Sequence, residues 1–246
     1  MCFTGGRATC EILHKVLRQG NGSIGAGGAS FPLMELHTLS YVVVDVETTG
    51  GQPATGDRVT EVAAVLVEQG RIALLYQSLV NPERPIPPYV ARLTGISDAM
   101  VREAPTFPEI AGELAAHLSG RVFVAHNARF DLGFLGAEFA RVAPTPLEAL
   151  LPGTLCTVRL ARRLLRHLPR RNLDAVCQHY GVEIADRHRA AGDAEATAHV
   201  LRHLLEDVSR LGIHTWEELD RWMSRGTARS KRTRALPMAS DGADGI

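Results

Sequence analysis

The amino-acid sequence predicts an α/β domain with a mixed sheet flanked by helices. Two observations carry this. Apolar, β-branched runs come first and closely spaced, as in an antiparallel meander; a further short apolar run then alternates with stretches whose hydrophobic residues recur at helical spacing. A third observation concerns one strand. In YVVVDVETTG, residues 41–50, both faces are apolar up to Val44, the pattern of a strand covered on both sides.

Taken in order, residues 8–18 (ATCEILHKVLR) place Ile12, Leu13, Val16 and Leu17 on one helical face. Residues 20–30 (GNGSIGAGGAS) read as a flexible linker. They contain a formal G-x-G-x-x-G at Gly20, Gly22 and Gly25. A dinucleotide site there is rejected, because the preceding stretch is helical in pattern and more glycine follows where a helix should begin. The first strand spans 41–47, followed by a polar, Gly-rich turn at 50–57. RVTEVAAVLVEQG and RIALLYQSLVNP supply the second and third strands. Residues 87–119 read as helical pieces, RVFVAHN (121–127) as another strand, and DLGFLGAEFARV as a helix. An amphipathic helix is expected over 154–168, another after Asn172, and a last long one from about Asp193 to Val208. The chain divides into an N-terminal extension (1–38), a main domain (39–208) and a C-terminal segment (209–246).

Composition excludes several classes. Hydrophobic content of 45% and charged content of 22% suit an ordinary globular core. Net charge is zero and names no partner. The basic residues are almost all arginine, with Lys15 and Lys231 the only lysines, so no single arginine is informative by its type alone. Cys2, Cys10, Cys156 and Cys177 form no C-x-x-C pair and no zinc spacing, and read as free thiols of a cytoplasmic protein. No apolar run reaches the ~18 residues of a membrane span, and no signal peptide is recognisable.

Asp45 and Glu47 share one face at the end of the first strand. Carboxylates ~4 Å apart at an effective dielectric near ~20 repel by about 4 kcal/mol. One could be protonated, basic side chains could neutralise them, or a divalent cation could sit between them. No lysine or arginine is near in sequence before Arg58, so a cation is the economical answer, and an oxygen-only set favours Mg²⁺ or Mn²⁺. Alone, the pair also reads as two solvated residues at a strand end. In HNARFDLGFL (126–135), Asp131 falls in the first turn of a helix, where an acid also serves the helix dipole. In HRAAGDAEAT (188–197), His188 sits in a polar loop five residues before Asp193, where a helix begins; such a histidine is often merely solvated.

In this order, VVVDVETTG, HNARFDLGFL and HRAAGDAEAT resemble the three motifs of the DEDDh 3′–5′ exonucleases, most closely the proofreading epsilon subunit of bacterial DNA polymerase III. The resemblance covers about residues 40–208, including LTGISDAMVREAPTF (93–107) and NLDAVCQHYGV. It implies a ribonuclease H-like fold, a mixed five-stranded sheet flanked by helices, and two divalent ions, Mg²⁺ or Mn²⁺. By resemblance, Asp45 bridges the ions, Glu47 and Asp193 complete the tighter site, and Asp131 serves the second, partly through water. His188 is then the general base. Imidazole suits that role because its ordinary protonation range spans neutral pH.

The same resemblance places Thr48 against the terminal nucleotide, and Leu93 and Gly95 where the family packs an apolar wedge. His126 and Asn127 read equally as substrate contacts or as a cap for the next helix. Thr94 departs from the family, which has histidine in its best-known epsilon subunits, and this leaves DNA against RNA open. The implied partners are single-stranded DNA 3′ ends and a polymerase subunit bound through the C-terminal segment, with no membrane.

Arg159, Arg162, Arg163 and Arg166 recur at helical spacing, followed by Arg170 and Arg171; they read either as a phosphate-binding face or as a solvated one. Thr215 and Glu218 form a capping box opening a short helix. Trp216, Leu219, Trp222 and Met223 make an apolar stripe, for a partner or for the domain itself. Residues 221–238 carry six basic residues and no acid. Alternatives to a DNA exonuclease are an RNA 3′-end trimming enzyme and a non-catalytic polymerase-binding module.

Overall fold

The computed structural model describes residues 34–143 and 146–232, with side chains described as far as 224. The expected helix at 8–18 and the glycine-rich linker lie outside these residues. So do the last residues of the basic tail.

Five strands form one sheet in the order β3-β2-β1-β4-β5. β1 (Tyr41–Thr48), β2 (Val59–Glu68) and β3 (Arg71–Leu79) are the antiparallel meander; β4 (Val122–Ala125) and β5 (Thr154–Cys156) join it in parallel. The sheet is therefore mixed and ribonuclease H-like, as the resemblance implies.

The two faces of β1 feed two cores. Val42, Val44 and Val46 pack with β2, β4, α3 (Phe107–Leu118) and α4 (Ala128–Val142). Tyr41 and Val43 pack on the other side with α5 (Thr157–Leu164), α6 (Leu173–Tyr180) and α7 (Ala190–Arg210). Two shorter helices, α1 (Pro88–Thr94) and α2 (Asp98–Val101), precede α3 and pack around Ile96.

Three boundaries differ from the sequence reading. Residues 154–156 extend the sheet as β5 instead of starting the helix, which runs only from Thr157 to Leu164. Three residues are too few to show an alternating pattern, and only Leu155 of the three is buried. α7 starts at Ala190, so Asp193 lies in its first turn. α8 (Trp216–Arg232) is longer than the short helix expected, and its stripe of Trp216, Leu219, Trp222 and Met223 packs on the core. Arg163 stacks on the Trp222 ring at 4.2 Å and donates to the Met223 carbonyl, tying α8 to α5.

Small residues position the site. Ala190, Gly192, Ala194, Ala196 and Ala198 are buried along α7, letting its N-terminal half approach β1 closely. A Cβ on Gly192 would lie 2.4 Å from the carbonyl oxygen of Asp186, so the 186–189 loop can fold over this turn only above glycine.

Candidate active site

Asp45 and Glu47 project from β1 and Asp193 from the first turn of α7, and one carboxylate oxygen from each lies within 4.8 Å of the others. A register shift between Glu47 and Thr48, where β1 pairs with β2, ends the regular ladder beside the cluster. Asp131 is buried in the first turn of α4, and its Oδ1 accepts the Val46 N–H at 3.3 Å. β4 has already ended at Ala125, so this carboxylate satisfies a β1 amide that β4 does not reach. His188 adopts a left-handed backbone (φ 63°), and its N–H donates to Asp193 Oδ2 at 3.3 Å. The structure thus gathers all five of these residues at one end of β1.

The acids are held above their ordinary protonation range. Burial raises the Asp45 carboxyl, and Asp131, Glu47 and Asp193 add repulsion. Burial, then Asp193 and Glu61, push Glu47 up to about 8. Burial lifts Asp131 to about 7, and it raises Asp193 against the pull of Arg187. Such a cluster stores charge repulsion that a cation relieves.

The donor set fits a hard divalent cation. It is all oxygen, it converges from two elements, and Asp193 Oδ1 is buried with no hydrogen-bond partner among the described residues. A cation is not the whole answer to the repulsion, however. Arg187, far from β1 in sequence, places its Nη1 against Asp193 Oδ2 while its Nε donates to Asp174 Oδ1 at 2.7 Å. Its neighbour His188 was the only sequence signal, and arginine abundance hid it.

Two further ion pairs escaped the sequence reading. Glu61, directly across from Glu47 on β2, is fully buried and bound by Arg189 at 2.7 and 3.0 Å and by the Ala190 N–H at 3.0 Å. Glu138 holds Arg58 at 2.7 and 3.0 Å. An acid inside the apolar run of β2 was the available hint for the first.

The remaining candidates fall as follows. Thr48 is buried and its hydroxyl donates to the Gly50 carbonyl at 2.6 Å. Asn127 sits at φ 84° at the head of α4 and makes no side-chain cap bond. His126 does not cap the helix either. Its Nε2 meets the Arg171 carbonyl at 3.1 Å and its Nδ1 meets Thr157 Oγ1 at 2.9 Å. A carbonyl only accepts, so Nε2 carries the proton and Nδ1 accepts from the hydroxyl. Burial keeps this ring neutral, lowering its pKa to about 4.

Gly95 ends α1 at φ 72°, and Leu93 is exposed beside it; neither has a hydrogen bond to the acidic cluster among the described residues. Thr94 is turned inward, its hydroxyl donating to the Val90 carbonyl and accepting the Ile96 N–H. His126 and Asn127 line a cavity of about 620 Å³ with Val158, Arg162, Arg170 and Arg171. A second cavity of about 570 Å³, bordered by Leu36, Tyr41 and Val67, lies at the opposite end of β1 from the carboxylates.

Comparison with known proteins agrees with this geometry. The exonuclease family model matches residues 42–201. The chain is 41% identical over 211 residues to a Mycobacterium tuberculosis protein named for inferred exonuclease and endonuclease activities, covering 82% of this chain and 32% of that protein. It is 34% identical over 203 residues to the PolC-type DNA polymerase III of Bacillus subtilis, covering 82% of this chain and 14% of the polymerase. Among solved structures, exonuclease X in complex with 5′ overhanging duplex DNA superposes with a TM-score of 0.54 at 29% identity, over 68% of this chain and 91% of that one. The chain therefore spans about a third or less of the length of these two curated relatives, and it belongs to the exonuclease family.

Proposed function

We propose that this protein is a 3′–5′ exonuclease that hydrolyses phosphodiester bonds at the 3′ end of single-stranded DNA in the cytoplasm, releasing nucleoside monophosphates. The observation that supports this most is the convergence of Asp45, Glu47 and Asp193, flanked by Asp131 and His188, on one end of β1. Asp45, Glu47 and Asp193 would hold one divalent cation, Mg²⁺ or Mn²⁺, and Asp131 with Asp45 a second. Bound there, such ions lower the pKa of water and neutralise charge on the entering and leaving oxygens.

The chain's own residues do the rest. His188, half-buried in its loop, takes the proton from the attacking water at a ring nitrogen. Its backbone bond to Asp193 couples loop position to the acidic cluster. Thr48 fixes the turn beside the terminal nucleotide, and Leu93 and Gly95 supply an apolar wedge from α1. His126 has both ring nitrogens occupied, so it shapes the substrate cleft and braces the Arg171 turn. Asn127, with its amide uncommitted to capping, is the polar contact at that position. Arg159, Arg162, Arg166 and Arg170 are exposed, and their guanidinium groups make no ion pair among the described residues, which favours a phosphate-backbone face over a structural one.

A polymerase partner would use the exposed side of α8, since its apolar stripe already covers the domain. The inward-turned Thr94 keeps an RNA-trimming reading alive, because it offers no imidazole at the sugar. The test is a 5′-labelled oligodeoxynucleotide incubated with Mg²⁺. A ladder shortening from the 3′ end supports the proposal. Inertness of the folded protein on DNA with faster shortening of the matching RNA would overturn it.

A further inference from the structure

We propose that Arg187 is an internal counter-cation that competes with the divalent ion for Asp193 and is retained by Asp174 when that ion enters. The inference rests on the cation-site reading above. Arg187 is clamped between two acids of different standing. Its Nη1 contacts Asp193 Oδ2, inside the carboxylate cluster, while Nε and Nη2 bind the two oxygens of Asp174 on α6, at 2.7 and 3.4 Å. Asp193 is buried, whereas Asp174 is exposed.

The same Asp193 oxygen also accepts the His188 N–H, and the other oxygen has no partner among the described residues. One carboxylate is thus half satisfied by an arginine and half left for something else. An arginine in a cluster of three converging carboxylates supplies a positive charge, but its fork bonds only Asp193 of the three and leaves Asp45 and Glu47 without a bonded cation among the described residues. A divalent ion placed among the three would serve all of them and repel the guanidinium. Asp174 gives that guanidinium a second acceptor without leaving the loop. Arg187 therefore stabilises the ion-free site and opposes loading, and Asp174 lowers the cost of loading.

The two anchors predict shifts of opposite sign. With the full chain and Mn²⁺ alone as the probe, Arg187→Gln should bind Mn²⁺ roughly tenfold more tightly than wild type and melt lower in the ion-free state. Arg187→Lys should fall between the two. Asp174→Asn should bind Mn²⁺ several-fold more weakly, because the displaced guanidinium loses its acceptor. A purely structural clamp would move both variants in the same direction, and that result, or unchanged Mn²⁺ affinity in Arg187→Gln, would overturn the proposal. Wild type that binds no Mn²⁺ would sink the underlying cation site as well, whereas Mn²⁺ binding abolished by Asp45→Asn would leave that site standing whatever Arg187 does.

Discussion

Glu47 and Glu61 face each other across β1 and β2, yet their environments drive them apart. Burial and neighbouring acids push Glu47 up to about 8. Burial acts on Glu61 too, but Arg189, the Ala190 amide and Gln77 outweigh it and hold Glu61 below its usual range. One acid is structurally complete and the other is not. Glu138 is likewise paired, with Arg58, whereas Asp45 is raised by burial and by its acidic neighbours as Glu47 is. Asp131 and Asp193 are raised by burial, and Asp193 is an intermediate case, because Arg187 pairs with one of its oxygens and leaves the other without a partner among the described residues. Buried carboxylates that carry their own counter-charge hold the fold together, whereas those that repel one another mark where an external cation belongs.

The sharpest way to break this division is to remove one member of each class. Asp45→Ala should lower kcat on a DNA 3′ end by on the order of 10³-fold or more while leaving the chain folded, as seen by circular dichroism. Arg58→Ala strands the buried Glu138 and should cost about 3 kcal/mol in denaturant unfolding. Near-normal turnover from the surviving folded fraction would separate the two classes cleanly.

Gly192→Ala tests how the loop is seated. Its new methyl would press on the Asp186 backbone, so the loop bearing Arg187 and His188 must move. We expect kcat to fall roughly tenfold or more, as misplacement by ~1 Å can cost ~10²-fold. KM should change less.

The raised acids also fix a pH dependence. Their folded-state pKa values lie above those of the unfolded chain, so the folded form binds more protons between about pH 4 and about pH 8. Stability of the ion-free protein should therefore fall as pH rises through that window. A melting series that rises instead would contradict the repulsion. The smallest effect concerns the surface: Arg162→Ala should reduce the slope of log affinity against log salt for single-stranded DNA by about 0.7 per lost phosphate contact.

Much of this was legible in the sequence, and for physical reasons. The apolar doubling of β1 announced a strand buried on both faces, and two acids at its end could not belong to that core. Three blocks in order tied Asp131, His188 and Asp193 to them. What stayed hidden depended on how the loop before α7 folds and on distance along the chain. Arg187 meets Asp193 only because α7 begins three residues after it, and Glu61 meets Arg189 across 128 residues. β5 was hidden because a three-residue parallel strand leading straight into a helix shows no period of its own.

The most direct test of the central division is the melting temperature of wild type and Asp45→Asn at pH 8, each with and without Mn²⁺. The account predicts that ion-free Asp45→Asn melts above ion-free wild type, because one repelling charge is gone. It also predicts that Mn²⁺ raises the wild type strongly and the variant little. A variant that melts lower without ion, paired with a wild type indifferent to Mn²⁺, would contradict it.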